Sequence, residues 1–469
     1  MEPSKVALEH NERPAGALDP QDDAALVDAA AEKRVVRKLD RWILAWIILL
    51  YFVSYLDRSN IGNARNIGLA RDTHLSSAAY QLASSTFYIG TVCFGTIGGL
   101  MLKAFRPSAW LAMCLVGWGA MAAIQAACTN GAGLAGVRFL LGVFEASFAP
   151  GCALYLSFWY LKTELSLRIA AYAGTSALSG VVGGLISYGL GKADGHMALP
   201  AWRALFLVEG LPTVAIGVCT YFILPDRPEL GRHPWFTEEE QRIILSRRTR
   251  FVRNDNHGIN LAHVKAALTD YRLALFCLIY AGLNLSLAVV SVYLPTIVGD
   301  LGYNGVDANL MTVPIYATAY VMLLLFATTS DRLQRRGLPI AFAALVSCLG
   351  YVLLAVLRER KARYGSCILA VSGTYMAFPL ILAWVLNTFA ADTKGGVGVG
   401  VVIGITHAVS VAASFIYPSE DAPQYVMGNT VSASLTFTAA MAALLMMILL
   451  RRENHRRDRK PTATRTFDT

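Results

Sequence analysis

Long apolar runs separated by short polar stretches dominate the chain. They fall near 42–63, 80–102, 108–128, 133–158, 168–190 and 203–224, and, after a polar stretch at 225–270, near 271–297, 308–329, 338–357, 365–389, 396–417 and 430–450. Each is close to the ~20 residues a helix needs to cross a bilayer. The pattern predicts an all-α membrane protein with twelve transmembrane helices in two six-helix bundles. It divides the chain into a largely disordered cytosolic tail (1–40), a first bundle (41–224), a cytosolic linker (225–270), a second bundle (271–450) and a basic cytosolic tail (451–469). In the linker, Thr237-Glu238-Glu239-Glu240 has the form of a capping box and predicts a helix to about Arg250, read as amphipathic and lying on the inner membrane face.

Charge places the ends of these spans. Lys33, Arg34, Arg37, Lys38 and Arg41 precede the first run, and Lys103, Arg106, Lys162, Arg168, Arg336, Lys394 and the tail arginines from Arg451 onward recur at one side. The opposite loops, around 300–307 and 420–421, carry acids and no Lys or Arg, so both termini are expected in the cytosol, with the plasma membrane as the expected site. Arg358, Arg360, Lys361 and Arg363 break the pattern. The first 41 residues contain no short apolar core with a cleavage site, which leaves targeting to the first span.

Composition agrees: 55% hydrophobic and 16% charged residues, with mean hydropathy +0.47, exclude an ordinary soluble domain. The net charge of +9 follows from basic residues beside spans, so no nucleic-acid partner is expected. The eight cysteines show no C-x-x-C spacing and read as small buried hydrophobes, with no metal or cofactor site implied.

The candidate chemistry lies in charged residues within the apolar runs. At the end of the first, Asp57 and Arg58 are adjacent, so on a helix their side chains diverge by about 100° and serve different contacts. In the fourth, Arg138 and Glu145 are seven apart, on one face and about 10 Å apart along the axis. Glu145, near the middle of its span, is either protonated or solvated by a wet cavity, the alternation that proton coupling requires, or else an acid neutralised by Arg138 or Arg58 for structure. Arg58 is the better anion ligand, since a guanidinium grips a carboxylate through two parallel hydrogen bonds. Arg138 offers the same chemistry but is assigned a structural or coupling role. Pro150-Gly151 can loosen the fourth helix, and Gly180, Gly183, Gly184, Gly189 and Gly191 give the fifth a small-residue face. Asp331, Arg332 and Arg335 after the eighth span form a candidate gating cluster, weighed against an ordinary solvated turn. Trp384, Asn387 and His407 are candidate pocket residues in the tenth and eleventh spans.

The segments Tyr55-Leu56-Asp57-Arg58-Ser59-Asn60-Ile61-Gly62-Asn63-Ala64, Arg138-Phe139-Leu140-Leu141-Gly142-Val143-Phe144-Glu145-Ala146, Leu224-Pro225-Asp226-Arg227-Pro228 and Tyr417-Pro418 resemble the anion:cation symporter family of the major facilitator superfamily. The chain is most similar to that family's fungal allantoate and nicotinate permeases. The resemblance implies two bundles rocking about a midplane site. It further implies proton coupling through Asp57 and Glu145, a substrate carboxylate on Arg58, and Asn387, Tyr55 and Trp384 lining the site. The second span departs from the family where Tyr88-Ile89-Gly90 is followed by Thr91, and the eleventh at Thr406-His407-Ala408-Val409-Ser410. The expectation is a monomeric secondary active transporter, not an enzyme, carrying a small organic anion with protons across a lipid bilayer. The rivals are an exporter on the same fold and a non-transporting nutrient sensor.

Overall fold

The computed structural model describes residues 29–231, 233–251, 265, 268–303, 305–333, 336–388 and 392–458. Its long helices are α1 (Ala45–Asn66), α2 (Ser77–Ala104), α3 (Pro107–Ile124), α4 (Gly131–Glu145), α5 (Lys162–Lys192), α6 (Ala201–Ile223), α7 (Tyr271–Asp300), α8 (Gly305–Leu333), α9 (Gly337–Val356), α10 (Arg360–Thr388), α11 (Asp392–Ala413) and α12 (Val426–Asp458). There is no strand among the described residues. Helix starts follow local chemistry. The Ser76 hydroxyl accepts from the Ala79 N–H at 3.2 Å, the Asn130 amide oxygen accepts from the Gly133 N–H at 2.8 Å, and Pro107 occupies a first helical turn. Gly68, at φ 114°, supplies the left-handed turn after α1 that a side chain would resist.

The tail departs from expectation, and the fourth span is interrupted close to the Pro150-Gly151 step that was expected to loosen it. Residues 29–39 are helical rather than disordered, running through a π turn (Asp40–Leu44) into α1. Val35 and Leu39 are buried there, which stabilises the extension. The fourth span breaks between Glu145 and a second helix, Phe148–Ser157. Pro150 has no N–H to offer the carbonyl of Ala146, and the next turn restarts from the Gly151 N–H to the Ser147 carbonyl at 2.9 Å.

Ten described helical segments are long and apolar enough to cross a membrane. Their outer faces stay apolar, as at Phe222 (71% exposed) and Val356 (69%), where lipid replaces a protein partner. Packing repeats with a period of six helices. The pairs α1–α5, α1–α6, α2–α4, α3–α4 and α3–α6 in the first half recur as α7–α11, α7–α12, α8–α10, α9–α10 and α9–α12 in the second. The halves meet through α1–α7 and through the equivalent pairs α2–α11 and α5–α8. The glycine face of α5 serves this seam: Gly180 abuts Tyr316 of α8, Gly184 abuts the Asn309 carbonyl, and Gly183 faces α1.

The linker helix (Glu238–Phe251) starts with the expected capping box, Thr237 and Glu240 exchanging hydrogen bonds at 2.8 and 3.2 Å. Its apolar face, Ile243 and Ile244, is buried. Arg247 binds Glu32 at 2.7 Å and Glu164 at 2.6 Å, and Lys38 binds Glu240 at 2.7 Å, so the helix is clamped to the first half. Partial burial works to raise the Glu240 carboxyl, but Lys38 and the Thr237 cap outweigh it and hold the group below the usual carboxylate range. The clamp is therefore intact at neutral pH and is lost as acid protonates Glu240. Two of the exceptional cations, in the first turn of α10, are also tied to protein: the Arg360 guanidinium lies 3.8 Å from the Tyr303 ring centroid, and Arg363 donates to the Pro423 carbonyl at 2.6 Å.

In α4, a methyl at Gly142 would strike the Phe87 carbonyl of α2, whereas one at Gly136 meets nothing within 4 Å. Gly142→Ala is therefore expected to cost about 1–3 kcal/mol of stability. Gly136→Ala should hold or raise stability by up to about 1 kcal/mol. Thermal unfolding midpoints of the purified variants in detergent check the contrast, and equal midpoints would refute the α2–α4 contact.

Candidate functional site

The close approach of α2 and α4 assembles the centre. Because Gly90 and Gly142 let the two backbones touch, Phe87 and Tyr88 of α2 are carried against the charged faces of α1 and α4. The Glu145 carboxylate pairs there with Arg58 and accepts a second hydrogen bond from the Ser54 hydroxyl at 2.8 Å. Both members are buried, Glu145 at 3% and Arg58 at 8% exposure. The Arg58 guanidinium also lies 4.5 Å from the Tyr55 ring centroid and 5.2 Å from that of Phe87. A cation–π contact of this kind adds to the ion pair without taking up its donors.

A narrow cavity between the halves reaches the Arg58 member of this pair. Tyr51, Tyr55, Arg58 and Tyr172 line it from the first half, and Tyr280, Asn284, Phe378 and His407 from the second. Aromatic faces dominate, Tyr280 stacking on Phe378 at 5.9 Å. Asn284 is oriented by Ser410 at 2.8 Å. The Nδ1 of His407 is buried and meets no hydrogen-bond partner among the described residues. Near the α1–α2 and α7–α8 connections the halves are sealed. Asn66 donates to the Pro295 carbonyl and to Asn309, each at 2.9 Å; Ser77 bonds Ser419 at 2.9 Å; and Lys192 pairs with Asp307 at 3.0 Å.

The predicted residues separate into those that meet and those that do not. Tyr55, Arg58 and His407 line the cavity, and Glu145 pairs with Arg58 at its wall. Arg138 forms no ion pair among the described residues. It is fully buried, its three guanidinium nitrogens meet no hydrogen-bond partner among them, and it lies 5.4 Å from the Phe87 ring centroid. Asp57 points away from the cavity, as its adjacency to Arg58 requires, and accepts from the Trp118 indole at 3.2 Å and the Thr213 hydroxyl at 3.1 Å. Trp384 is buried outside the cavity lining, its ring set edge-on to Phe276 of α7 at 5.3 Å and against Gly337 of α9. The side chains of Asn387, Asp331 and Arg332 lie outside the described ones, and Arg335 outside the described residues.

Sequence reasoning missed Tyr88, Asn284 and Glu209. Tyr88 is buried beside Phe87, its ring 6.4 Å from that of His407, so the second span brings a tyrosine to the centre. Glu209 is a lone acid in the sixth apolar run and is only 3% exposed. An acid at mid-span was itself the signal that could have found it.

A repeated pair of six-helix halves enclosing a polar cavity in an apolar shell is the architecture of a multi-pass membrane transporter. Residues 47–418 match the model of the Major Facilitator Superfamily, and the chain belongs to that superfamily. It is 34% identical over 433 residues to the "MFS transporter prlL" of Fungal sp. (strain NRRL 50135), covering 90% of this chain and 87% of the relative. It is 29% identical to the "High-affinity nicotinic acid transporter" of Saccharomyces cerevisiae, covering 91% of this chain and 79% of that protein. Among solved structures, a D-xylose-proton symporter shares the fold with a TM-score of 0.66 at 14% identity, over 86% of this chain and 96% of the other.

Removing one partner of a buried ion pair leaves the other charge uncompensated, at a cost of about 3–5 kcal/mol. Arg58→Ala is expected to lose stability on that scale, and Arg58→Ala/Glu145→Gln to recover much of it. A thermal double-mutant cycle checks this, and additive losses would show that the pair is not coupled.

Proposed function

We propose that the chain is a proton-coupled symporter of a small carboxylated organic solute, working by alternating access in the manner of the anion:cation symporters. The observation that carries this reading is the Arg58–Glu145 pair at the cavity wall. A guanidinium already held by a protein carboxylate accepts a solute carboxylate only when the first one lets go. Protonating Glu145 cancels its charge and frees Arg58, so proton and anion load together. An anion leaving Arg58 returns Glu145 to the ion pair and expels the proton. Arg138, buried against Phe87 and outside the cavity lining, keeps the structural or coupling role. Tyr55, His407 and the aromatic walls suit a flat or apolar body on the carboxylate.

In this reading the halves 41–224 and 271–450 rock about the cavity, with 225–270 as the cytosolic connection and both termini in the cytosol. The protein acts as a monomer, in the plasma membrane. Asp57 acts on the coupling from behind α1, and Asn387 with the Asp331–Arg335 turn belongs to the moving second half. Similarity to a protein named as a nicotinic acid transporter supports an aromatic monocarboxylate as the first solute to try.

Proteoliposomes with an imposed inward proton gradient should accumulate radiolabelled nicotinate or another member of a carboxylate panel. Glu145→Gln should abolish gradient-driven accumulation while keeping solute exchange, and Arg58→Ala should lose anion binding by at least about tenfold. Absence of accumulation across the panel, or wild-type coupling in Glu145→Gln, would overturn the symport reading.

A further inference from the structure

Behind α1, away from the cavity, lies a second group of acids. The Asp57 carboxylate accepts from Trp118 of α3 and Thr213 of α6 through one oxygen, and its other oxygen meets no hydrogen-bond partner among the described residues. Glu209 lies one turn before Thr213 on the face of α6 that meets α1, the Thr213 hydroxyl standing 2.9 Å from the Glu209 carbonyl and 3.1 Å from the Asp57 carboxylate. Neither Glu209 oxygen and neither polar atom of Asn60 makes a hydrogen bond of good geometry among the described residues, although Glu209 is 3% exposed and Asn60 not exposed at all. From α4, Glu145 acts on Asp57 as a further like charge. Among the described residues, no Lys or Arg side chain forms a hydrogen bond or ion pair with the carboxyl of Asp57 or Glu209.

Two carboxyls buried side by side without a cation cannot both be ionised, because each charge opposes the other and water is excluded. The hydrogen bonds distinguish the two. Asp57 accepts from the Trp118 indole and shares the single proton of the Thr213 hydroxyl, whose oxygen lies 3.1 Å from Asp57 and 2.9 Å from the Glu209 backbone carbonyl. The Glu209 carboxyl, by contrast, accepts no donor among the described residues and is favoured in its neutral form by burial. A methyl on Gly210 would lie 2.5 Å from the Ala123 nitrogen of α3, so the α3–α6 seam beside it is closed.

We propose that Glu209 is a proton-carrying residue, neutral in this state and exchanging its proton beside Asp57 and Asn60, separate from the proton at Glu145. The inference extends the proton-coupled reading of the same half. A purely structural acid would be satisfied by its neighbours, since leaving a buried polar group unpaired costs about 1–3 kcal/mol. An acid retained without partners at mid-membrane fits a group whose charge changes during function. α1 would then carry two proton sites on opposite faces, with Asp57 linking them through its like-charge interaction with Glu145.

Infrared difference spectroscopy of the purified full-length protein at neutral pH tests this without a transported solute. A protonated-carboxyl carbonyl band is expected that disappears in Glu209→Gln, persists in Glu145→Gln, and shifts in Asp57→Asn, where the neighbouring charge is gone. On transfer to heavy water the band should move within the time of a transport cycle, since a proton that is carried must exchange. Glu209→Gln should keep the wild-type thermal midpoint. A band unaffected by Glu209→Gln, or one that does not exchange in heavy water, would overturn the proposal. So would a large stability loss in Glu209→Gln. Gradient-driven nicotinate uptake by the wild type is the separate readout for symport: if it fails while the band behaves as expected, the error lies in the symport reading rather than in Glu209.

Discussion

Burying a carboxylate at the middle of an apolar bundle requires a partner, and Glu145 finds it in Arg58. Much of the first half is arranged to permit that contact. The α1 register is constrained by it, since Ser54 and Arg58, one turn apart, both reach the same carboxylate oxygen. The glycines at 90 and 142 bring α2 against α4, so that Phe87 covers the guanidinium. The fourth span also loses its helical hydrogen bonding directly after Glu145, so the ion pair and the break in the helix are neighbours. A change at the carboxylate is therefore felt where the helix is least able to resist bending.

The distribution of apolar runs was enough to place nearly every helix, because length and hydrophobicity are what the bilayer selects. Adjacency was enough to send Asp57 and Arg58 to different neighbours, a consequence of helical geometry alone. Less was legible where the outcome depended on which face of a buried helix turns inward. Trp384 and Arg138 show the limit: both lie on helices apolar around most of their circumference, so no periodicity marks the cavity side. Arg138 stands two turns from Glu145 on the same face, yet the acid is claimed by another helix. The helical extension before α1 was illegible for a different reason, because its stability comes from the linker helix, some 200 residues later in the chain.

The second half repeats the packing of the first, but not its chemistry. The mates of α1 and α4 are α7 and α10, and what they bring to the cavity is Tyr280, Asn284 and Phe378 rather than charge. The first half thus brings a guanidinium and the second an amide and an imidazole, while both contribute aromatic rings. The sealed end, with Asn66, Asn309 and Ser419, relies on neutral hydrogen bonds and one exposed ion pair. Such contacts exchange readily for water, which suits a closure that must open.

The unpaired guanidinium of Arg138 has an effect reaching beyond its own contacts. Arg58 and Glu145 cancel, and Asp57 as a carboxylate balances Arg138, so these buried charges of the first half sum to zero while the two signs stay on different faces of the bundle. Such a separation acts as a fixed dipole in a low-dielectric shell. A proton taken up or given off by any one of these acids therefore changes the field at the others before a side chain moves.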